Sequence, residues 1–122
     1  MTSTARTSKR FSKPRVVAEP LPTLVEALEI ESRDLECVER VETGDGIEWR
    51  ANGQAFASLA GGRAEFRLDP VVAAAALRTP DTGPSPRGAG WVAFERRDPD
   101  GHALDRAVAW LASAHRRLAS RR

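Results

Sequence analysis

One cysteine, two histidines and two lysines are all that this 122-residue chain carries of those types. A lone Cys37 excludes an internal disulfide and a multi-cysteine zinc site. The longest stretch free of charge, Ala51 to Gly62, is too short and too mixed to cross a bilayer, so no transmembrane helix is expected. The first ten residues, Met1 to Arg10, hold no apolar core of the kind a secretory signal needs. These absences together predict a reduced, soluble, cytoplasmic protein with no membrane partner. At 122 residues, 41% of them hydrophobic, the chain suffices for one ordinary core and leaves no room for a second.

What is present is unevenly distributed. The net charge is +2, yet Met1 to Ala18 holds five basic residues (Arg6, Lys9, Arg10, Lys13, Arg15) and no acid. From Glu19 to Glu48 ten acids face only Arg33 and Arg40, and from Trp49 onward twelve arginines face seven acids. A basic arm and a basic C-terminal half suit a polyanion, through phosphate contact and counterion release. The preference for arginine over lysine goes with abundant alanine, the usage of a GC-rich coding sequence, and does not count toward that reading.

Residues 1–20 mix Thr, Ser, Lys, Arg and Pro with few large apolar side chains, which predicts a disordered basic arm ahead of a domain over residues 21–122. Thr23 with Glu26 three residues on is a capping-box pattern, opening a helix over about Leu24–Ser32 that is acidic outside. Leu35 to Val41 reads equally as a short strand or an irregular connection. Ile47–Ala51 alternates apolar and charged; Asn52-Gly53 is a type I′ hairpin signal; Ala55–Ala60 is a mostly apolar strand. After Gly61-Gly62, Arg63–Leu68 alternates again, with Ala64, Phe66 and Leu68 inward. Asp69-Pro70 opens a helix over Val71–Arg78, anchored by Val72 and Leu77. Thr79–Gly90 reads as a loop, Trp91–Glu95 as a strand, and about Ala103–Ala119 as a final helix with Leu104, Ala107, Val108, Leu111, Ala114 and Leu118 buried. The expectation is therefore an α+β fold in the order α-β-β-β-α-β-α. Its antiparallel sheet is a three-stranded meander plus a further strand, with helices on one face.

Catalytic and metal constellations are sparse. His102 follows Asp98-Pro99-Asp100-Gly101 and reads as a capping or solvent residue, and His115 as a border residue of the last helix. Neither accompanies a serine or cysteine in an activating turn, so no catalytic residue is assigned. The Asp98–His102 turn is a weak metal signal, and no metal or other cofactor is expected. Gly44-Asp45-Gly46, Gly61-Gly62 and Gly88-Ala89-Gly90 lack the strand–turn–helix setting of a phosphate cradle. Trp49, Trp91 and Trp110 read chiefly as core, although Trp91 opens a strand after a loop, where it would line a groove.

The stretch Ala51-Asn52-Gly53-Gln54-Ala55-Phe56-Ala57-Ser58-Leu59 leads into Gly62-Arg63-Ala64-Glu65-Phe66-Arg67-Leu68 and an alanine-rich helix. It resembles the MmcQ/YjbR-like and TfoX N-terminal domains over about residues 24–119, where Trp91-Val92-Ala93-Phe94 and the final helix fill the later positions. That resemblance implies a small double-wing α+β unit, a label that carries DNA binding by fold analogy. Gln54 stands where the family usually has a lysine, removing one charge, while Arg67 preserves a second. Glu48-Trp49-Arg50 with Gly90–Phe94 is also similar to bacterial "luciferase domain" proteins, but their histidine-rich segment is here Ala57-Ser58-Leu59-Ala60, so an activity resting on it would be lost.

Three functions follow as expectations. A nucleic-acid module would use Lys9, Arg10, Lys13 and Arg15 of the arm with Arg50, Arg63 and Arg67 of the strands and Arg96 and Arg97 beyond them. Arg63 and Arg67 would share a sheet face about 13 Å apart, at roughly 3.3 Å per residue, with Glu65 between them diluting the field. A protein-interaction module would use the acidic first helix or an unpaired sheet edge, to bind a partner or a second copy. A small or degenerate enzyme has least support, because base, nucleophile and ligand clusters are missing.

Overall fold

A computed structural model describes residues 21–119. The elements run α1 (Leu24–Arg33), β1 (Glu39–Glu42), β2 (Gly46–Ala51), β3 (Gln54–Ala60), β4 (Arg63–Arg67), α2 (Pro70–Ala76), β5 (Thr82–Pro84), β6 (Trp91–Glu95) and α3 (Gly101–Ala119). The sheet order is β1-β2-β3-β4-β6-β5, with every neighbouring pair antiparallel. The fold is α+β, and the meander from Ile47 to Leu68 is the β2-β3-β4 centre of the sheet. The expected basic arm over residues 1–20 lies outside the described residues.

The expected order holds, with two strands added at the sheet edges. β1 is three-quarters charged, Glu-Arg-Val-Glu, and offers no apolar alternation to read. It becomes a strand because β2 presents a free edge. β5 contains Gly83 and Pro84, signals of a loop, and pairs only because β6 runs alongside; proline is tolerated there at the end of an edge strand.

The helices obey local rules. Thr23 Oγ1 accepts the Glu26 amide at 3.2 Å, and Glu26 Oε1 accepts the Thr23 amide at 2.8 Å, closing the capping box. Asp100 Oδ1 accepts the Ala103 amide at 2.8 Å and so starts α3 two residues earlier than expected. α2 corrects its expected anchors: Ala73 and Ala76 are buried, Val72 is only partly buried, and Leu77 is 44% exposed. The helix ends at Ala76, with Leu77 as its C-cap, so the Leu77 side chain no longer follows the buried stripe.

The core lies between α1 and α3 and one face of the sheet. Phe66 and Phe94 both pack on Trp110 of α3, at ring-centroid distances of 6.0 and 5.8 Å, so Trp110 is core, as expected. Trp49 is fully buried, as its inward phase implies. Between β2 and β3 the register shifts: Trp49 pairs with Ala57 but Arg50 with Ala55, leaving Phe56 as the extra residue of a bulge. The bulge turns the Phe56 ring toward α3, edge-on to His115 at 5.6 Å. Gly46 admits no side chain, since a Cβ there would stand 1.9 Å from the Leu59 carbonyl oxygen. Asn52 and Gly53 have φ of 55° and 76°, the pair of positive values that a type I′ turn demands.

Candidate functional site

Strict alternation sends every second strand residue away from the helices. The face so formed carries Glu48 and Arg50 of β2, Ser58 of β3, and Arg63, Glu65 and Arg67 of β4. Trp91 of β6 joins them, opposite Arg67 in register. Glu48, Ser58, Glu65 and Ala93 stand in one row across four strands. Among the described residues no helix covers this face, yet Ser58 and Ala93 are buried, because a loop lies over them.

That loop joins β5 to β6, and Arg87 fastens it. Arg87 Nε donates to Glu65 Oε1 and Nη2 to Glu48 Oε2, each at 3.2 Å. Its guanidinium carbon also lies 4.7 Å from the Trp91 ring centroid, in a cation–π contact. Ser85 Oγ donates to Glu65 Oε2 at 2.5 Å and accepts the Arg87 amide at 3.1 Å. Arg50 Nε donates to Glu48 Oε1 at 2.7 Å, and Arg63 stands 3.7 Å from Glu65 and 3.8 Å from Glu95.

The two carboxyls at the centre are only 12% and 14% exposed, for Glu48 and Glu65 respectively. Burial pushes both pKa values up. For Glu48 the hydrogen bonds from Arg50 and Arg87 outweigh it, and for Glu65 those from Ser85 and Arg87 do, so both end below their ordinary value of 4.5. Both groups are therefore carboxylates at neutral pH, acceptors already engaged and poor proton carriers. Neither histidine joins them: His102 is exposed in the first turn of α3, and His115 Nε2 lies 2.7 Å from the Glu36 carbonyl oxygen. Among the described residues no three His, Cys, Asp or Glu side chains are grouped so as to hold a metal ion, and no helix is long and apolar enough to cross a membrane. The chemistry of this face is charge and stacking.

The sequence-predicted residues divide between two places. Arg50, Arg63 and Arg67 share the open face with Trp91. Arg50 and Arg63 are partnered by acids there, whereas Arg67 makes no ion pair among the described residues. Arg96 and Arg97 lie elsewhere, in the turn before α3, where Arg96 is 3.6 Å from Asp81 and 3.9 Å from Asp100. Lys9, Arg10, Lys13 and Arg15 fall outside the described residues. Trp91 is half-buried beneath Arg87 and lines neither the hollow over β5 nor the one at the start of α1. The residue that sequence reasoning missed is Arg87, which sits in a Pro-Arg-Gly loop with no periodicity. The outward phase of Glu48 and Glu65 was legible, but not the cation that joins them.

Two of the hollows among the described residues lie near these side chains. One, of about 260 Å³, lies over β5 beside Arg63 and Glu95. The other, of about 390 Å³, lies between the start of α1 and the Arg96–Pro99 turn. No protein-family model, curated protein or solved structure matches this chain.

Proposed function

We propose that this chain is a non-enzymatic binding module that contacts nucleic acid through its phosphates, using the open face of the sheet. The observation that carries the reading is the Arg87–Trp91 stack beside Arg67, which among the described residues makes no ion pair, on a face that no described helix covers. Uncovered sheets bearing an aromatic and arginines are the physical pattern of single-strand platforms, in which bases stack and guanidiniums meet phosphates. Arg50 and Arg63 keep 39% of their side chains exposed while paired, so they still add to the field. Glu48, Glu65 and Glu95 offset part of it, which favours modest affinity, steep salt dependence and little base readout. The resemblance to MmcQ/YjbR-like domains points the same way, and Gln54, exposed at the start of β3, leaves this chain one cation short of that pattern.

The test is a fluorescence-anisotropy titration of labelled single-stranded and duplex DNA at two salt concentrations. The full chain is compared with one lacking residues 1–18 and with Arg67→Ala. Binding that survives the deletion, falls steeply with salt and weakens in Arg67→Ala supports the open face. Binding lost with the arm transfers the activity to residues 1–18. Absence of binding at low salt favours the second reading, a protein partner at β1, the acidic sheet edge whose outer side pairs with no strand among the described residues. In that reading the acidic α1 contributes less, because Glu26 is used in the capping box and Glu29 pairs with Arg40.

A further inference from the structure

The 390 Å³ cleft has a composition that the open face does not share. Its apolar side comes from Leu21, Leu24 and Val25 at the start of α1 and from Leu59 of β3. Leu24 and Leu59 are each 6% exposed and belong to the core, whereas Leu21 and Val25 are 58% and 36% exposed, large apolar side chains standing at the opening. On the opposite side lie Arg96 and Arg97. Arg97 is exposed and makes no ion pair among the described residues. Arg96 approaches Asp81 and Asp100 only at 3.6 and 3.9 Å, beyond hydrogen-bond distance, so its N–H donors remain available. Among the described residues of the lining the one acid is Asp98.

We infer that this cleft binds a small amphiphilic carboxylate, its aliphatic tail against Leu21, Val25 and Leu59 and its head on Arg97 and Arg96. The volume lies within the roughly 300–1,000 Å³ typical of small-ligand sites, which are likewise mostly apolar with few polar groups. A planar guanidinium matches a carboxylate in two parallel hydrogen bonds, and two adjacent arginines offer that geometry twice. The apolar side removes tail surface from water, which a bare inorganic anion cannot exploit. Asp98 opposes the head group by like charge, so the site is tuned to modest affinity and its removal strengthens binding. This inference is independent of the open face, since neither Arg67, Arg87 nor Trp91 lines the cleft.

Isothermal titration calorimetry on the full chain, with decanoate below its micelle concentration, tests it against 1-decanol and inorganic phosphate. The expected result is saturable one-to-one binding of decanoate and much weaker binding of either control. Arg97→Ala weakens it about tenfold or more, the worth of a charge-assisted hydrogen bond. Val25→Glu abolishes it and Asp98→Asn strengthens it. Both altered positions are at the surface, and thermal melts check that each variant folds. Equal binding of decanol, equal binding of phosphate, or an Arg97→Ala variant that binds unchanged would overturn the assignment. So would decanoate binding that appears only after residues 1–20 are deleted, which would make the arm the occupant.

Discussion

The two faces of the sheet solve the same problem with opposite chemistry. On one, Trp49, Phe66, Phe94 and Val92 meet α1 and α3 and are removed from water without directional bonds. On the other, the same strands present Glu48, Ser58 and Glu65, and a single loop arginine reaches two carboxylates at once. The first face even leaves the buried Trp49 Nε1 without a hydrogen-bond partner among the described residues, whereas the carboxylates of the second are held by the cations and hydroxyls around them. The contrast teaches where robustness lies. Apolar packing is spread over many contacts, whereas the polar face converges on Arg87 and Glu65, so that one substitution disturbs several bonds.

The largest effect is expected on the covered face. Phe66→Ala should cost about 3–5 kcal/mol, because the cavity beneath Trp110 cannot collapse between two strands and a helix. Urea denaturation checks it, and a loss below 1 kcal/mol would show that the core is looser than the packing implies. Next comes Glu65→Ala, which strips Ser85 and Arg87 of their acceptor; about 1–3 kcal/mol is expected from the groups left half-satisfied. Hydrogen exchange should rise in the loop over residues 85–90 and not in α3, so equal exchange in both would break the contrast.

A pH series sharpens it further. Both carboxyls titrate below 4.5 in the folded chain, so their contribution is present above the unfolded value and is lost as pH falls through the folded one. Thermal stability should decline more steeply on the acid side in the native chain than in Glu65→Gln, and parallel curves would remove these groups as the cause. The smallest effect belongs to Arg63→Ala. Its contacts at 3.7 and 3.8 Å involve a 39%-exposed side chain, so a change within about 0.5 kcal/mol is expected in melting experiments.

Much of the architecture was legible before any coordinates. Asn52-Gly53 and the perfect alternation of Arg63–Leu68 determine a hairpin and its facing by local sterics alone, and Thr23 with Glu26 determines a helix start. The edge strands were less so: β1 falls on the end of Leu35–Val41, where a short strand was one of two readings, and β5, read as loop, pairs by proximity. Within the candidate site, the outward placement of Arg50, Arg63 and Arg67 followed from the same alternation. That Glu48 closes on Arg50 and Glu65 on Arg63, each two residues along the same strand, did not, because a shared face does not say which neighbours bond, and Glu95 reaches Arg63 from β6.

By itself, then, the sequence determined the α+β class, the central meander, the faces of its strands and the uneven charge, all properties set within a few residues by period, turn chemistry and capping. Only the tertiary structure decided that Arg87 spans Glu48 and Glu65, 39 and 22 residues away. It also decided that Trp110 lies beneath two phenylalanines, and that Gly46 is the one residue fitting against Leu59. Those are long-range approaches: their partners are chosen by how strands and helices stack, and no local pattern encodes which distant atom will be near.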